Sequence, residues 1–557
     1  MADTVLPQRG RRIGRRQNGS GAPAPIPAPT QTAAAADATN TRFRWLILIG
    51  LILAAAMEVL DTTIINVALP QMAGNLSTTT LEIAWVSTGY ILSNVVVLPM
   101  TAFLNKMFGR RNYLTGSIIL FTVASFFCGT SHSLSELIVW RILQGAGGAA
   151  LISTAQATLV QVFPPKEQAI VQPIFLMGLV VFPTIGPALG GYITDAANWN
   201  WCFFINVPIG ILAGALVFFL LHDTEPAKRD TPVDWAGIGL LAAGLGSLQY
   251  VLEEGQQDDW FADALITRLA VLSAVSLLVL VAWQLSPRNA HPVLNLRVLK
   301  NRSLSAGIVL FIAVGFGLYG VNYLYPLLAQ QLQGLSALQT GLALLPGGVA
   351  TAVSIVFCGV ISSNPKVSPD ARLLTFIGIL LSVVGMWGLA HLNAQSGRPD
   401  TYWPLLIRGA SIGFLFVPVN TLAVGSLTAN DVNEGVSLLG LGRQLGGSVG
   451  TAILATALQN HEHINRANLV GYLTTANPAY NERLSGLTGT LTAHGYSPTD
   501  AKSGALGLID QTLTSQVSAM SFNDTFLILM LISIAMLPAL LLLKKPKPGT
   551  SAPVAMH

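Results

Sequence analysis

The sequence predicts an all-α integral membrane protein with 14 transmembrane helices, arranged as two six-helix bundles plus two inserted helices. Two observations carry this expectation. Of 557 residues, 52% are hydrophobic and only 10% are charged, whereas soluble globular proteins carry about 25% charged residues. Apolar stretches of about 20 residues, enough to cross the hydrocarbon core, also recur along most of the chain between short polar connections.

Taken in order, the spans fall near 45–67, 82–104, 112–130, 134–160, 168–192, 202–221 and 234–252, then near 264–285, 303–328, 338–361, 371–391, 402–426, 433–458 and 522–543. Cationic residues orient them. With the N-terminus cytoplasmic, twenty-two of the 30 Lys and Arg lie inside, five lie outside and three (Arg141, Arg408, Arg443) fall within spans. That bias obeys the positive-inside rule, and one helix more or fewer would invert every later loop. Both termini are therefore expected in the cytoplasm.

Residues 1–43 carry Arg9, Arg11, Arg12, Arg15 and Arg16 ahead of an Ala/Pro stretch. Such a segment cannot pack a core and reads as a disordered basic cytoplasmic tail. The first bundle then covers 44–222, the inserted helices 223–286, and the second bundle 287–545, with a polar outer excursion at 459–521. Residues 546–557 form a second tail. Cys128, Cys202 and Cys358 show neither metal-ligand spacing nor a disulfide pattern.

Charges inside the membrane are costly and mark function or helix pairing. On the first span Glu58 and Asp61 are three apart and share a face. Asp61 lies about six residues from the outer end, and Arg141, on the antiparallel fourth span, about seven from its own. At 1.5 Å per residue both sit roughly 10 Å deep, so a carboxylate and a guanidinium can meet in the outer half of the bundle. A carboxylate there is pulled one way by desolvation and the other by its cation, as proton coupling requires; the alternative is a static pair that holds helices together. Arg141 acts as partner rather than proton carrier, because arginine is not deprotonated in proteins. Arg408 and Arg443 can line a cavity or cap carbonyls.

The polar residues Asn66, Asn94, Gln144, Gln156, Asn322 and Asn420 also fall within spans, as cavity candidates or interhelical hydrogen bonders. Gly178, Pro183, Gly186, Pro187, Gly190 and Gly191 crowd the fifth span. Small residues four apart let helices approach closely, and prolines supply a bend that can gate a central cavity. The halves echo one another: Gly442-Arg443-Gln444-Leu445-Gly446-Gly447 with Gly450 follows the second bundle's Arg408-Gly409 as the fifth span's run follows Arg141. Enzyme signals fail. Gly315-Phe316-Gly317-Leu318-Tyr319-Gly320 has dinucleotide-site lettering but no preceding strand, and no phosphate-binding loop with its lysine occurs. His461-Glu462-His463 is too sparse for a metal site.

Several segments resemble the major facilitator superfamily, specifically its fourteen-helix drug:proton antiporters of the EmrB/QacA type, over residues 44–543. Leu60-Asp61-Thr62-Thr63-Ile64-Ile65-Asn66-Val67-Ala68-Leu69-Pro70 resembles the helix 1 signature, Arg141-x-x-Gln144-Gly145 the helix 4 motif, and the 178–191 run the antiporter motif of helix 5. Trp199 to Gly210 is a further match. Asp259-Trp260-Phe261 and the long excursion before Asn523-Asp524 resemble the EmrB branch. Lys106 stands where the wider superfamily has an aspartate, and Ala102 where it has a glycine.

The resemblance implies alternating-access export of hydrophobic or amphipathic compounds, as in multidrug efflux and antibiotic resistance. Protons would enter in exchange through Asp61, Glu58 and Arg141, driven by the proton motive force with no cofactor. It further implies a bacterial inner membrane, contact with its lipids, and a periplasmic adaptor with an outer-membrane channel. Neither a nucleic-acid partner nor enzyme activity is expected. Two other readings stay open: a lipid or lysolipid translocator on the same fold, and a non-transporting scaffold or sensor.

Overall fold

The computed structural model describes residues 31–223, 232–289, 291–363, 369–428 and 431–542. The first half comprises α1 (Gln31–Asn75), α2 (Thr80–Val97), α3 (Thr101–Phe108), α4 (Arg110–Thr130), α5 (Leu134–Val162), α6 (Pro165–Ala196), α7 (Trp201–Phe204) and α8 (Asn206–Leu220). Next come the inserted α9 (Trp235–Glu254) and α10 (Ala264–Leu285). The second half comprises α11 (Arg302–Gln331), α12 (Ala337–Ser363), α13 (Ala371–Leu389), α14 (Arg398–Val424), α15 (Val432–Val470), α16 (Pro478–Ala493), α17 (Pro498–Ala535) and α18 (Leu537–Leu542). A 3-10 turn with Pro99 at its second position joins α2 to α3, so the two form one span.

Thirteen stretches among the described residues are long and apolar enough to cross a bilayer. The fourteenth expected span, near 433–458, is α15. Its glycines and its Arg443-Gln444 pair dilute its apolar content, yet it packs along α11 and α17 inside the second half. Outward faces carry the residues lipid requires, among them Phe219, Leu278, Val353 and Leu541, each more than 60% exposed.

The expected twofold repeat is visible in the pairings. In the first half α1 lies against α5, α6 and α8, while α4 and α2 lie against α5; in the second, α11 lies against α14, α15 and α17, while α13 and α12 lie against α14. Across the halves α6 packs on α12, and α15 packs on α2, α3 and the turn between them.

The structure departs from the sequence expectations in two places. Helix α1 begins at Gln31, inside the segment expected to be a disordered tail; residues 1–30 and 546–557 lie outside the described residues. The excursion at 459–521 is not a loop. Helices α15 and α17 run straight on past their apolar lengths and α16 packs on α17, making a helical outcrop whose polar faces meet water.

The inserted hairpin is anchored by Asp234, which caps α9 through the Gly237 amide (2.8 Å). The same carboxylate accepts from Trp283 (2.9 Å), Gln284 (3.1 Å) and Asn289 (2.7 Å) at the end of α10. Burial pushes the Asp234 carboxyl up, but these hydrogen bonds outweigh it and hold it below the ordinary carboxylate range. A depressed acid stabilises the fold above its unfolded pKa and loses that contribution as the pH falls through its folded one. Asp234→Ala is therefore expected to speed hydrogen exchange at the first turn of α9 at pH 7. The native hairpin should keep its protection until the pH drops below the ordinary carboxylate range. Unchanged exchange in the variant would contradict this anchoring role.

Candidate functional site: a buried ion pair beside a cavity between the halves

Asp61 and Arg141 meet as the counted depths require. Arg141 Nη1 donates to Asp61 Oδ2 at 2.6 Å, and both side chains are sealed, at 0% and 1% exposure. The other carboxylate oxygen accepts from Gln144 Nε2 and from Asn206 Nδ2, each at 2.9 Å. Arg141 also donates from Nη1 to Gln144 Oε1 (2.7 Å) and from Nε to the Val86 carbonyl (2.9 Å), and its guanidinium lies 4.3 Å from the centre of the Tyr90 ring. Helices α1, α5 and α8 thus converge on one carboxylate, and α2 holds its cation through the Val86 carbonyl. With a cation and two amide donors, its charge is well compensated in spite of burial.

Two of these partners differ from the sequence expectation. Gln144 was expected to line a substrate cavity; its position three residues after Arg141 places it instead on the face turned to Asp61, inside the polar knot. Asn206 carries no expected role, although an asparagine opening an apolar helix is a visible signal. Its side chain also donates to Ser125 Oγ (3.1 Å), tying α8 to α4.

Glu58, one turn away on α1, sits in different surroundings. It accepts from Asn94 Nδ2 and from the Ile152 amide, each at 3.2 Å. It also lines a cavity of about 30 Å³ between the halves, together with Asn94, Gln156, Asn420 and Arg443. Gln156 donates to Asn420 Oδ1 (3.2 Å), and Asn420 donates to Gln172 (3.3 Å), so the cavity floor is a hydrogen-bonded bridge between the halves. Tyr90, with its ring on Arg141, has a hydroxyl without a hydrogen-bond partner among the described residues.

The remaining candidates lie elsewhere. Arg408 caps carbonyls, donating to Gly317 (3.3 Å) and Leu318 (3.1 Å) of α11, because the second half offers no acid where the first has Asp61. Asn66 is exposed and accepts from Ser87 (3.3 Å), and Asn322 is exposed on α11; neither borders the cavity.

The glycine and proline run of α6 lies along α1. A Cβ on Gly186 would meet Thr63 Oγ1 at 2.0 Å, and one on Gly190 the Ile64 carbonyl oxygen at 2.8 Å. Gly178 faces Ile52, and Gly191 faces Val67 more loosely. Pro183 and Pro187 sit within the unbroken helix, where each removes a backbone donor from the ladder. As α6 also packs on α12, a helix made compliant at mid-length stands between the ion-pair helix and the opposite half.

The halves are closed at the end where α3 meets α15. Lys106 pairs with Glu434, which is buried, and the Thr101 and Ser437 hydroxyls lie 2.8 Å apart. Sequence reading gave Lys106 and Glu434 no joint role, since they lie 328 positions apart in opposite halves. A ligand of drug size needs roughly 300–1,000 Å³, so about 30 Å³ marks a conformation contracted around its centre.

Comparison with known proteins places this geometry. The profile of the Major Facilitator Superfamily matches residues 51–451. The multidrug export protein EmrB of Escherichia coli (strain K12) is 33% identical over 479 residues, covering 86% of this chain and 91% of that protein. The fatty acid resistance protein FarB of Neisseria gonorrhoeae is 32% identical over 495 residues, covering 89% and 95%. The colistin resistance protein EmrB of Acinetobacter baumannii is 28% identical over 491 residues, covering 88% and 94%. Among solved structures, the human organic anion transporter MFSD10 (TETRAN) shares the fold with a TM-score of 0.54 at 13% identity, covering 89% of this chain and 99% of that one. The chain belongs to the Major Facilitator Superfamily, on its EmrB-type branch, and is a multi-pass membrane transporter.

Proposed function

We propose that the protein exports amphipathic small molecules from the cytoplasm of a bacterial cell across its inner membrane, in exchange for protons. The carrying observation is the Asp61–Arg141 pair, sealed within the first half and one helical turn from a polar cavity that both halves line. The relatives' printed roles in multidrug export, fatty acid resistance and colistin resistance support export as the direction. The positive-inside bias puts Lys106 and Glu434 on the cytoplasmic side. The contracted state is then shut toward the cytoplasm.

In this reading Asp61 holds its charge while Arg141, Gln144 and Asn206 surround it. Rocking of the halves bends α6, which is seated on α1 at Thr63 and Ile64, and draws α1 away from α5. Asp61 then loses its cation in a poorly solvated place and binds a proton; return of α5 expels it. Glu58, on the same face of α1, reports the occupancy of the cavity to Asp61. The outcrop formed by α15, α16 and α17 on the far side offers a surface for a periplasmic adaptor leading to an outer-membrane channel.

Reconstituted vesicles test the function directly. An imposed proton gradient, acid on the outer face, is expected to drive a fluorescent amphipathic dye outward, and collapse of the gradient should stop it. Dye movement indifferent to the gradient would favour a lipid or lysolipid translocator. No movement under any gradient would leave a scaffold or sensor.

A further inference from the structure

The charges around the central cavity are divided between the halves. Glu58, on α1, comes from the first; Arg443, on α15, comes from the second. Glu58 is steadied by Asn94 and the Ile152 amide. Arg443 has no hydrogen bond or ion pair among the described residues; its guanidinium lies 5.9 Å from the centre of the Phe416 ring. The intervening walls are apolar, with Leu176 and Leu179 from the first half and Phe311 and Phe416 from the second.

We infer that this cavity is a two-pole site that selects zwitterionic amphiphiles: a cationic group seated on Glu58, an anionic group on Arg443, and an apolar body against the leucines and phenylalanines. The inference rests on the transport reading above and specifies its substrate class.

Charge balance carries it. In the empty site Glu58 and Arg443 face the cavity from opposite halves with no ion pair between them. A ligand bearing only a cation satisfies Glu58 and strands Arg443 in a poorly solvated place, where an uncompensated charge is costly. A ligand bearing only an anion strands Glu58 in the same way. A zwitterion gives each of the two poles an opposite charge and leaves the net charge of the site unchanged. It also bridges the halves, because each pole is held by a different half, so binding favours a conformation in which the cavity has widened around the ligand while both poles stay engaged. Arg443 suits the anionic pole, since its planar fork can grip two oxygens of a carboxylate, sulfonate or phosphate. Arg408, by contrast, spends its donors on the carbonyls of α11.

Three naphthyl probes of equal bulk test this on the full-length protein in lipid nanodiscs: a sulfobetaine, a trimethylammonium and a sulfonate. The wild type is expected to bind the sulfobetaine about tenfold more tightly than either singly charged probe. Glu58→Gln should erase the sulfobetaine's advantage over the sulfonate, and Arg443→Gln its advantage over the trimethylammonium. Wild-type affinities within about twofold of one another, or variants that weaken all three probes alike, would overturn the inference. Dodecylphosphocholine, added as a competitor, separates the sources of such ligands. Displacement of the sulfobetaine assigns lipid-like zwitterions to the site, and its failure restricts the site to compact soluble ones. Export of the same probes from vesicles is read separately. Export without charge preference removes this inference and leaves the transport reading standing; charge-selective binding without export removes the transport reading.

Discussion

Asp61→Asn is expected to leave the protein folded and inserted while ending proton-driven export. The substitution keeps the shape of the side chain, and the Val86 carbonyl, the Gln144 amide oxygen and the Tyr90 ring continue to hold Arg141. What disappears is the group proposed to alternate between charged and neutral. Arg141→Ala attacks the other partner and behaves differently, because it leaves a carboxylate at 0% exposure with two amide donors and no cation. Removing either member of a buried pair costs about 3–5 kcal/mol, and Arg141→Ala adds to this the volume emptied by a side chain at 1% exposure, which Asp61→Asn does not. The Arg141→Ala variant should therefore lose more thermal stability in detergent, as well as transport. Gradient-driven dye export together with thermal unfolding of both purified variants checks the contrast. Export by Asp61→Asn at the wild-type rate, or equal stability of the two variants, would contradict it.

Locking the closed end should stop turnover entirely. The Thr101 and Ser437 hydroxyls are 2.8 Å apart across the halves, beside the Lys106–Glu434 pair. Paired replacements Thr101→Cys and Ser437→Cys are expected to form a disulfide under mild oxidation, because side-chain atoms already in contact need little backbone movement. The native cysteines, Cys128, Cys202 and Cys358, are all buried and should not compete. Export should fall to background when the bond forms and recover on reduction, while each single variant transports. Continued export by the crosslinked protein would show that this end never opens.

Much of this architecture is legible in the sequence, for physical reasons that differ from place to place. Span count follows from one strong constraint, hydrocarbon thickness, and the proposed orientation rests on the side preference of lysine and arginine. The Asp61–Arg141 meeting is legible because antiparallel helices of known rise turn residue counts into depths. Gln144 shows the limit of that method. Depth is read from the sequence, but the face a side chain turns toward depends on how its helix is rotated by its neighbours. The same limit separates Arg408 from Arg443, two arginines in echoing motifs, of which one is consumed by carbonyls and the other borders the cavity.

Contacts between the halves are harder still. Lys106 and Glu434, or Gln156 and Asn420, lie hundreds of positions apart, with no periodicity to pair them. The outer excursion misleads for another reason. Helices that emerge into water lose their apolar faces, so α16 and the outer lengths of α15 and α17 look like loop to any reading that takes hydrophobicity as its guide.

Coupling is tested most directly by a pH-indicator titration of the purified, weakly buffered protein with an exported ligand. Wild-type protein is predicted to exchange protons with the medium as ligand saturates it. Asp61→Asn should bind the same ligand and exchange none. Proton exchange by that variant equal to the wild type's would contradict the assignment of Asp61 as the coupling acid.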